Sequence, residues 1–145
     1  MSSGACYQVV LFPLDFDAAR EFCLSLEATL ITFEASAESN YILSGIQGSQ
    51  YFSDLFNIGN LLVGLYRPTP TAHFTSVDGG IVVIDNWAPG HPHGSTELCA
   101  ELQQDGSYAA TSCSSPHPFA CKTYDCRNTQ HYNICNDCEF VFFKL

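Results

Sequence analysis

Apolar positions recur along this chain in two rhythms, one of alternating or continuous short runs and one at helical steps. Tyr7 to Phe12 (Tyr-Gln-Val-Val-Leu-Phe) is rich in β-formers and stops at Pro13, which predicts a first strand. Asp15 is placed to cap a helix in which Phe16, Ala19, Phe22, Cys23 and Leu26 recur at three- and four-residue steps and build one apolar face. Leu30 to Phe33 predicts a short strand, and Ser36 can cap a second helix through about Ile46, with Tyr41, Ile42 and Ile46 on its core side. Gly48 to Asn60 reads as a loop whose Tyr51, Phe52 and Phe56 fit either a core or a surface for stacking. Leu61 to Tyr66 (Leu-Leu-Val-Gly-Leu-Tyr) is too apolar to have a wet face, which predicts a central strand.

Arg67-Pro68-Thr69-Pro70 ends that strand, Phe74 to Val77 leads into a turn at Asp78-Gly79-Gly80, and Ile81 to Ile84 predicts another strand. The stretch from Asn86 to Cys113 is the one around which the rest is organised. It places Trp87 on a Pro/Gly-rich loop, then a short strand through Leu102, a turn at Asp105-Gly106 and a second short strand ending in Cys113: a hairpin beside a long loop. Binding residues concentrate on such loops when a rigid scaffold holds them. Phe119 to Tyr124 predicts the last strand of the main body, giving one domain over residues 6–124. From Asp125 a cysteine-containing extension, 125–145, carries Cys126, Cys135 and Cys138 and ends in Phe140-Val141-Phe142-Phe143. So apolar a strand left bare would aggregate, so it is expected to pack on the body or against a partner.

With 145 residues and 46% hydrophobic content the chain can bury a real core. Asp and Glu outnumber Lys and Arg by 15 to 5, a formal charge of -10 with no basic run. Nucleic acid and anionic membrane surfaces are therefore poor partners. Eight cysteines suit an oxidising compartment, hence a secreted protein. Met1-Ser2-Ser3-Gly4 lacks both the charged start and the apolar run of a leader, so the chain reads as a mature or expressed form. No apolar run approaches the ~18 to 20 residues that a spanning helix needs.

In order, Cys6-Tyr7, Ala18-Ala19-Arg20-Glu21-Phe22-Cys23, Leu30-Ile31-Thr32 before Ser36-Ala37-Glu38, Val63-Gly64-Leu65, Phe74 through Asp78-Gly79, Asn86-Trp87-Ala88-Pro89-Gly90, and Cys99, Cys113 and Cys121 together resemble a C-type lectin-like domain over about residues 6 to 124. The resemblance implies an α+β fold, two helices flanking two small antiparallel sheets, with a long loop region carrying the binding site. It also implies two disulfides, Cys23 to Cys121 and Cys99 to Cys113. Cys6, Cys126, Cys135 and Cys138 remain; first and last strands should be neighbours, so Cys6 is expected to bond one of the three tail cysteines. A redox role for Cys135-x-x-Cys138 has no strand-to-helix context, and a zinc knuckle with His131 lacks finger spacing.

Calcium-dependent members of the family hold the ion, and a sugar through it, with Glu-Pro-Asn or Gln-Pro-Asp, a glutamate before the hairpin's first cysteine, and an Asn-Asp pair before its second. Calcium wants about six to eight oxygen ligands. Here the tripeptide is His91-Pro92-His93 and the Asn-Asp pair is Ala109-Ala110, leaving Glu97 alone. Calcium binding is not expected at that site, and no cofactor is expected. His91, His93 and Glu97 could form a two-imidazole, one-carboxylate set suited to zinc; the rival reading is two solvated loop histidines. Protonated below about pH 6.5, the same histidines could attract acidic glycans. His73 and His117 read as surface or satisfied core.

These residues point to a secreted, non-enzymatic module that recognises a glycan or protein without calcium, with Asp85, Asn86, His91, His93, Glu97 and Tyr108 as candidate ligand-binding residues. Two alternatives stand beside it, a lectin using zinc at His91, His93 and Glu97, and an ice-binding or assembly protein of the same fold. The sequence carries neither a nucleophile elbow nor a phosphate-binding glycine loop.

Overall fold

Alternate residues of the first strand, β1 (Cys6–Leu14), feed two cores. Tyr7, Val9 and Leu11 join one, and Val10 joins the other, so the strand lies between two packed layers. The structure, a computed structural model, describes residues 5–33, 36–124 and 140–143. Asp15 caps α1 (Phe16–Ser25) by accepting a hydrogen bond from the Ala18 amide at 2.9 Å, and Phe16, Ala19 and Cys23 are the buried side of that helix. Its far end closes with Glu27 N–H donating to Leu24 O and Ala28 N–H to Cys23 O, with Glu27 in the left-handed region (φ 57°). This pair of bonds satisfies carbonyls the helix would leave open.

β2 (Thr29–Leu30) is shorter than the Leu30 to Phe33 strand expected. Beyond it the chain bonds on both sides, Ile31 N–H donating to Ala120 O while Ile31 O accepts from Gly64 N–H at 2.7 Å. The segment wedges between two strands, and a Cβ at Gly64 would stand 2.6 Å from Leu30 O. Only glycine admits that approach.

α2 (Ser36–Gln47) buries Ile42, Leu43 and Ile46. The expected loop from Gly48 to Asn60 contains a third helix, α3 (Phe52–Ile58). Its first residue has no side-chain cap, and Leu55, fully buried, with Phe52 and Phe56 packed on the same core, holds it in place. Tertiary burial thus overrides weak local signals.

β3 (Leu61–Tyr66) is central, pairing with β4 (Phe74–Ser76), β6 (Cys99–Leu102) and β8 (His117–Thr123). β4 pairs with β5 (Ile81–Val82), which is shorter than the Ile81 to Ile84 expected. β6 and β7 (Tyr108–Thr111) form the hairpin, in register from Cys99 opposite Thr111 to Leu102 opposite Tyr108. β8 lies antiparallel to β1, and β9 (Phe140–Phe143) lies parallel to β1 on its other side. The strands form a single connected mixed sheet, with the main path β5-β4-β3-β8-β1-β9, in place of two wholly antiparallel sheets. The architecture is α+β.

Cys23 is bonded to Cys121 and Cys99 to Cys113, tying α1 to β8 and closing the hairpin. Cys6 is also disulfide-bonded. The pairing of Cys126, Cys135 and Cys138, like His131, lies outside the described residues. No described helix is long and apolar enough to cross a membrane.

Candidate functional site

The long loop is fastened to the hairpin before it reaches its exposed crown. Tyr108 N–H donates to Asn86 O at 3.0 Å, Ala88 N–H to Tyr108 O at 2.8 Å, and the Asn86 side-chain amide to Gly106 O at 2.7 Å. Trp87 packs its ring between Phe74 and Tyr108, with centroids 5.3 and 6.4 Å away. Below the loop, the Arg67 guanidinium is buried; it donates to Glu97 O at 3.2 and 2.9 Å and to Pro70 O at 2.6 Å, and lies over the Phe74 ring. Carbonyl dipoles and a ring face thus solvate a desolvated cation. The same residue ties the far end of the long loop, at Glu97, to the segment after β3, at Pro70.

In the crown the His91-Pro92 peptide is cis. Ala110 N–H donates to His91 Nδ1 at 3.1 Å, which makes that nitrogen an acceptor and assigns the ring proton to Nε2 in the neutral imidazole. The His93 ring stacks on it, with centroids 4.1 Å apart and planes tilted 39°. The Glu97 carboxylate curls back, Oε2 accepting from Thr96 N–H at 3.2 Å. It packs on Gly94, whose φ is 87° and whose absent Cβ would fall 1.5 Å from Oε2. Ala109 and Ala110 are buried in the hairpin. Within the crown His91 Nδ1 and Glu97 Oε2 thus each accept a backbone N–H, while His93 is exposed. Among the described residues no three His, Cys, Asp or Glu side chains are grouped to hold a metal ion, so His91, His93 and Glu97 are neighbours along the loop without converging as the zinc set requires.

Asp85, Asn86 and Tyr108 lie elsewhere, lining an open cleft of about 1030 Å³ between the end of α1 and the strap that follows β4. The cleft's floor holds Lys122, which is buried and paired with Glu38 of α2; Glu38 also accepts from Tyr7 Oη at 3.5 Å. Burial by itself would lower the Lys122 pKa, but the hydrogen bond and charge of Glu38, with smaller help from Tyr124, raise it above the usual lysine value. Burial, then the nearby charges of Glu38 and Asp85, pushes the Tyr108 hydroxyl far above its ordinary range, so it stays protonated and can donate. Sequence reading missed the Lys122–Glu38 pair because the partners are 84 residues apart. The signal was a lone cation inside an apolar strand, which must find a carboxylate when buried.

A third cluster sits on the hairpin's other flank. His117 Nε2 meets Thr111 Oγ1 at 3.1 Å, His117 Nδ1 stands 3.4 Å from Glu101 Oε2, and Asn60 Nδ2 donates to Glu101 Oε1 at 3.2 Å. Burial lowers the His117 pKa, opposed by the Glu101 charge. His117 is a core histidine held by its neighbours. His73 lines a smaller cavity of about 140 Å³ beside Arg67, Trp87 and Pro92.

Over 121 residues, 81% of this chain, the sequence is 26% identical to the secretory phospholipase A2 receptor of Oryctolagus cuniculus, and it spans 8% of that protein's length. The fold is similar to the mouse scavenger receptor C-type lectin carbohydrate-recognition domain, with a TM-score of 0.67, 23% identity, and coverage of 85% of this chain and 91% of that one. It is similar also to a calcium-independent type II antifreeze protein, with a TM-score of 0.67, 16% identity, and coverage of 85% and 88%. Residues 13–123 match the family described as the Lectin C-type domain, and the chain belongs to that family.

Proposed function

We propose that this chain is an extracellular, non-enzymatic recognition module that binds a glycan through the crown of its long loop without calcium. The observation that carries the reading is the hydrogen bond from Ala110 N–H to His91 Nδ1, made where the family's calcium-dependent members place oxygen ligands. Imidazole and methyl groups replace carboxylate and amide oxygens there, and a hard cation gains nothing from them. Direct hydrogen bonds to sugar hydroxyls then fall to the exposed His93 and to Glu97. The disulfides favour an oxidising compartment, and a carbohydrate-recognition domain of the same fold supports the ligand class. Against an enzyme, the one Thr–His–Glu alignment among the described residues is packed beside the hairpin, and the described linings of both cavities include none of its members.

A glycan array probed in parallel with EDTA, with calcium and with zinc tests this. Binding that survives EDTA and is lost in His93→Ala or Glu97→Gln is the expected result. Binding that requires added calcium overturns it. Binding lost to chelator and restored by zinc replaces it with the zinc lectin reading, and a crown that captures only protein ligands replaces the glycan.

A further inference from the structure

We propose that the cleft beside β5 is a docking groove for an extended segment of a partner protein, one that alternates aliphatic with basic side chains and adds to the sheet along the open edge of β5. The described surface exposes five large hydrophobic side chains, and four of them, Leu24, Ile81, Val83 and Tyr124, line this one cleft. Val83 and Ile81 are 82% and 72% exposed, while Val82 and Ile84 between and beyond them pack on the core. The strap is therefore apolar on both faces, which a solvated edge normally avoids by carrying charge.

β5 is the terminal strand at its end of the sheet and among the described residues pairs with β4 alone. Its outer edge is a template for strand addition, in which backbone hydrogen bonds give affinity and alternate side chains give specificity. Across the groove, Leu24 and Tyr124 form the facing lip.

Charge selects the occupant. Glu27, Asp78 and Asp85 line the cleft, and among its described lining residues the one cation, Lys122, is committed to Glu38. A segment bearing Lys or Arg between its aliphatic residues is attracted, whereas an acidic one is repelled. A second copy of this chain would bring its own formal charge of -10 against the same carboxylates. The exposed β-branched side chains Ile81 and Val83 offer a sugar hydroxyl no hydrogen-bond partner. The groove is independent of the glycan reading, because His91, His93 and Glu97 do not line it.

A fluorescein-labelled alternating Lys-Val octapeptide is titrated with the disulfide-intact full chain and followed by anisotropy, with an alternating Glu-Val octapeptide as control. The expected result is saturable binding of the Lys-Val peptide alone, weakened by salt, and weakened roughly tenfold by Val83→Lys or by Asp85→Lys. Both positions are exposed, and circular dichroism checks that each variant keeps the fold. Slowed amide exchange at residues 81–85 on binding places the peptide on the edge. No saturable binding, equal binding of the Glu-Val peptide, or an affinity unchanged by Val83→Lys overturns the proposal. Sedimentation showing a wild-type dimer that Val83→Lys dissociates overturns it in favour of a second copy. Glycan binding at the crown should be untouched by Val83→Lys, so failure of either reading is seen separately.

Discussion

Gln8 is the polar side chain whose burial is hardest to justify, and replacing it with methionine should stabilise the protein. It is fully buried in β1, opposite Cys121 and beside Val141 in the sheet register. Among the described residues neither Nε2 nor Oε1 has a hydrogen-bond partner. An unsatisfied buried donor or acceptor costs about 1 to 3 kcal/mol, so an amide with both groups orphaned forfeits at least that range. Methionine has nearly the same length and shape, leaves no cavity and carries no strong polar atom, and volume-conserving swaps cost at most about 1.5 kcal/mol. The net expectation for Gln8→Met is a gain of about 2 kcal/mol, which for a chain of 145 residues raises the melting temperature by roughly 6 °C. Guanidinium denaturation under non-reducing conditions reads it as a higher midpoint at unchanged slope. Gln8→Glu supplies the converse. A carboxylate buried at this position has a raised pKa, so its protein is most stable in acid and weakens as pH rises. A Gln8→Met variant that loses about 1 kcal/mol or more would refute the reasoning, since it would mean the amide is paired in the folded protein.

Removing the hairpin staple in a Cys99→Ala/Cys113→Ala variant, a loop of 14 residues, should cost about 3 kcal/mol; denaturation of the double variant showing no loss contradicts the loop-closure account. Gly64→Ala forces a methyl to 2.6 Å from Leu30 O and should destabilise by roughly 3 kcal/mol, visible as a lower melting temperature by calorimetry. Glu27→Gly relaxes a left-handed residue at the end of α1 and should gain about 1 kcal/mol; a loss would show that its side chain matters more than its backbone. His117 has a folded pKa below its ordinary 6.5, so the unfolded chain binds that proton more readily. Its stability contribution is complete above 6.5 and declines as pH falls below it. His117→Gln should flatten the acid limb of a stability–pH curve, and an unaltered limb would count against it.

What could be read from the sequence is what depends on local pattern. Asp15 caps α1 because a side-chain oxygen three residues before a free amide is a local event, and the run from Leu61 to Tyr66 is central because it has no polar face. α3 was hidden by Gly48, Ser49 and Gly59 around it, although Phe52, Leu55 and Phe56 carry a helical step. The candidate site was legible as a loop and not as a geometry. Asp85, Asn86 and Tyr108 fall in the cleft while His91, His93 and Glu97 stay in the crown, although all but Tyr108 belong to one stretch of sequence. Neither the bond from Ala110 to His91 nor the Lys122–Glu38 pair has a sequence signature, since each joins elements that meet only once the sheet has formed.

β9 runs alongside β1 in the same direction over four residue pairs, Tyr7 with Phe140 through Val10 with Phe143. The leading end of one strand and the trailing end of the other therefore point opposite ways. Tension drawn between those two ends would load every rung at once instead of peeling them in turn. A domain loaded between those ends resists as a lap joint does, giving way late and abruptly.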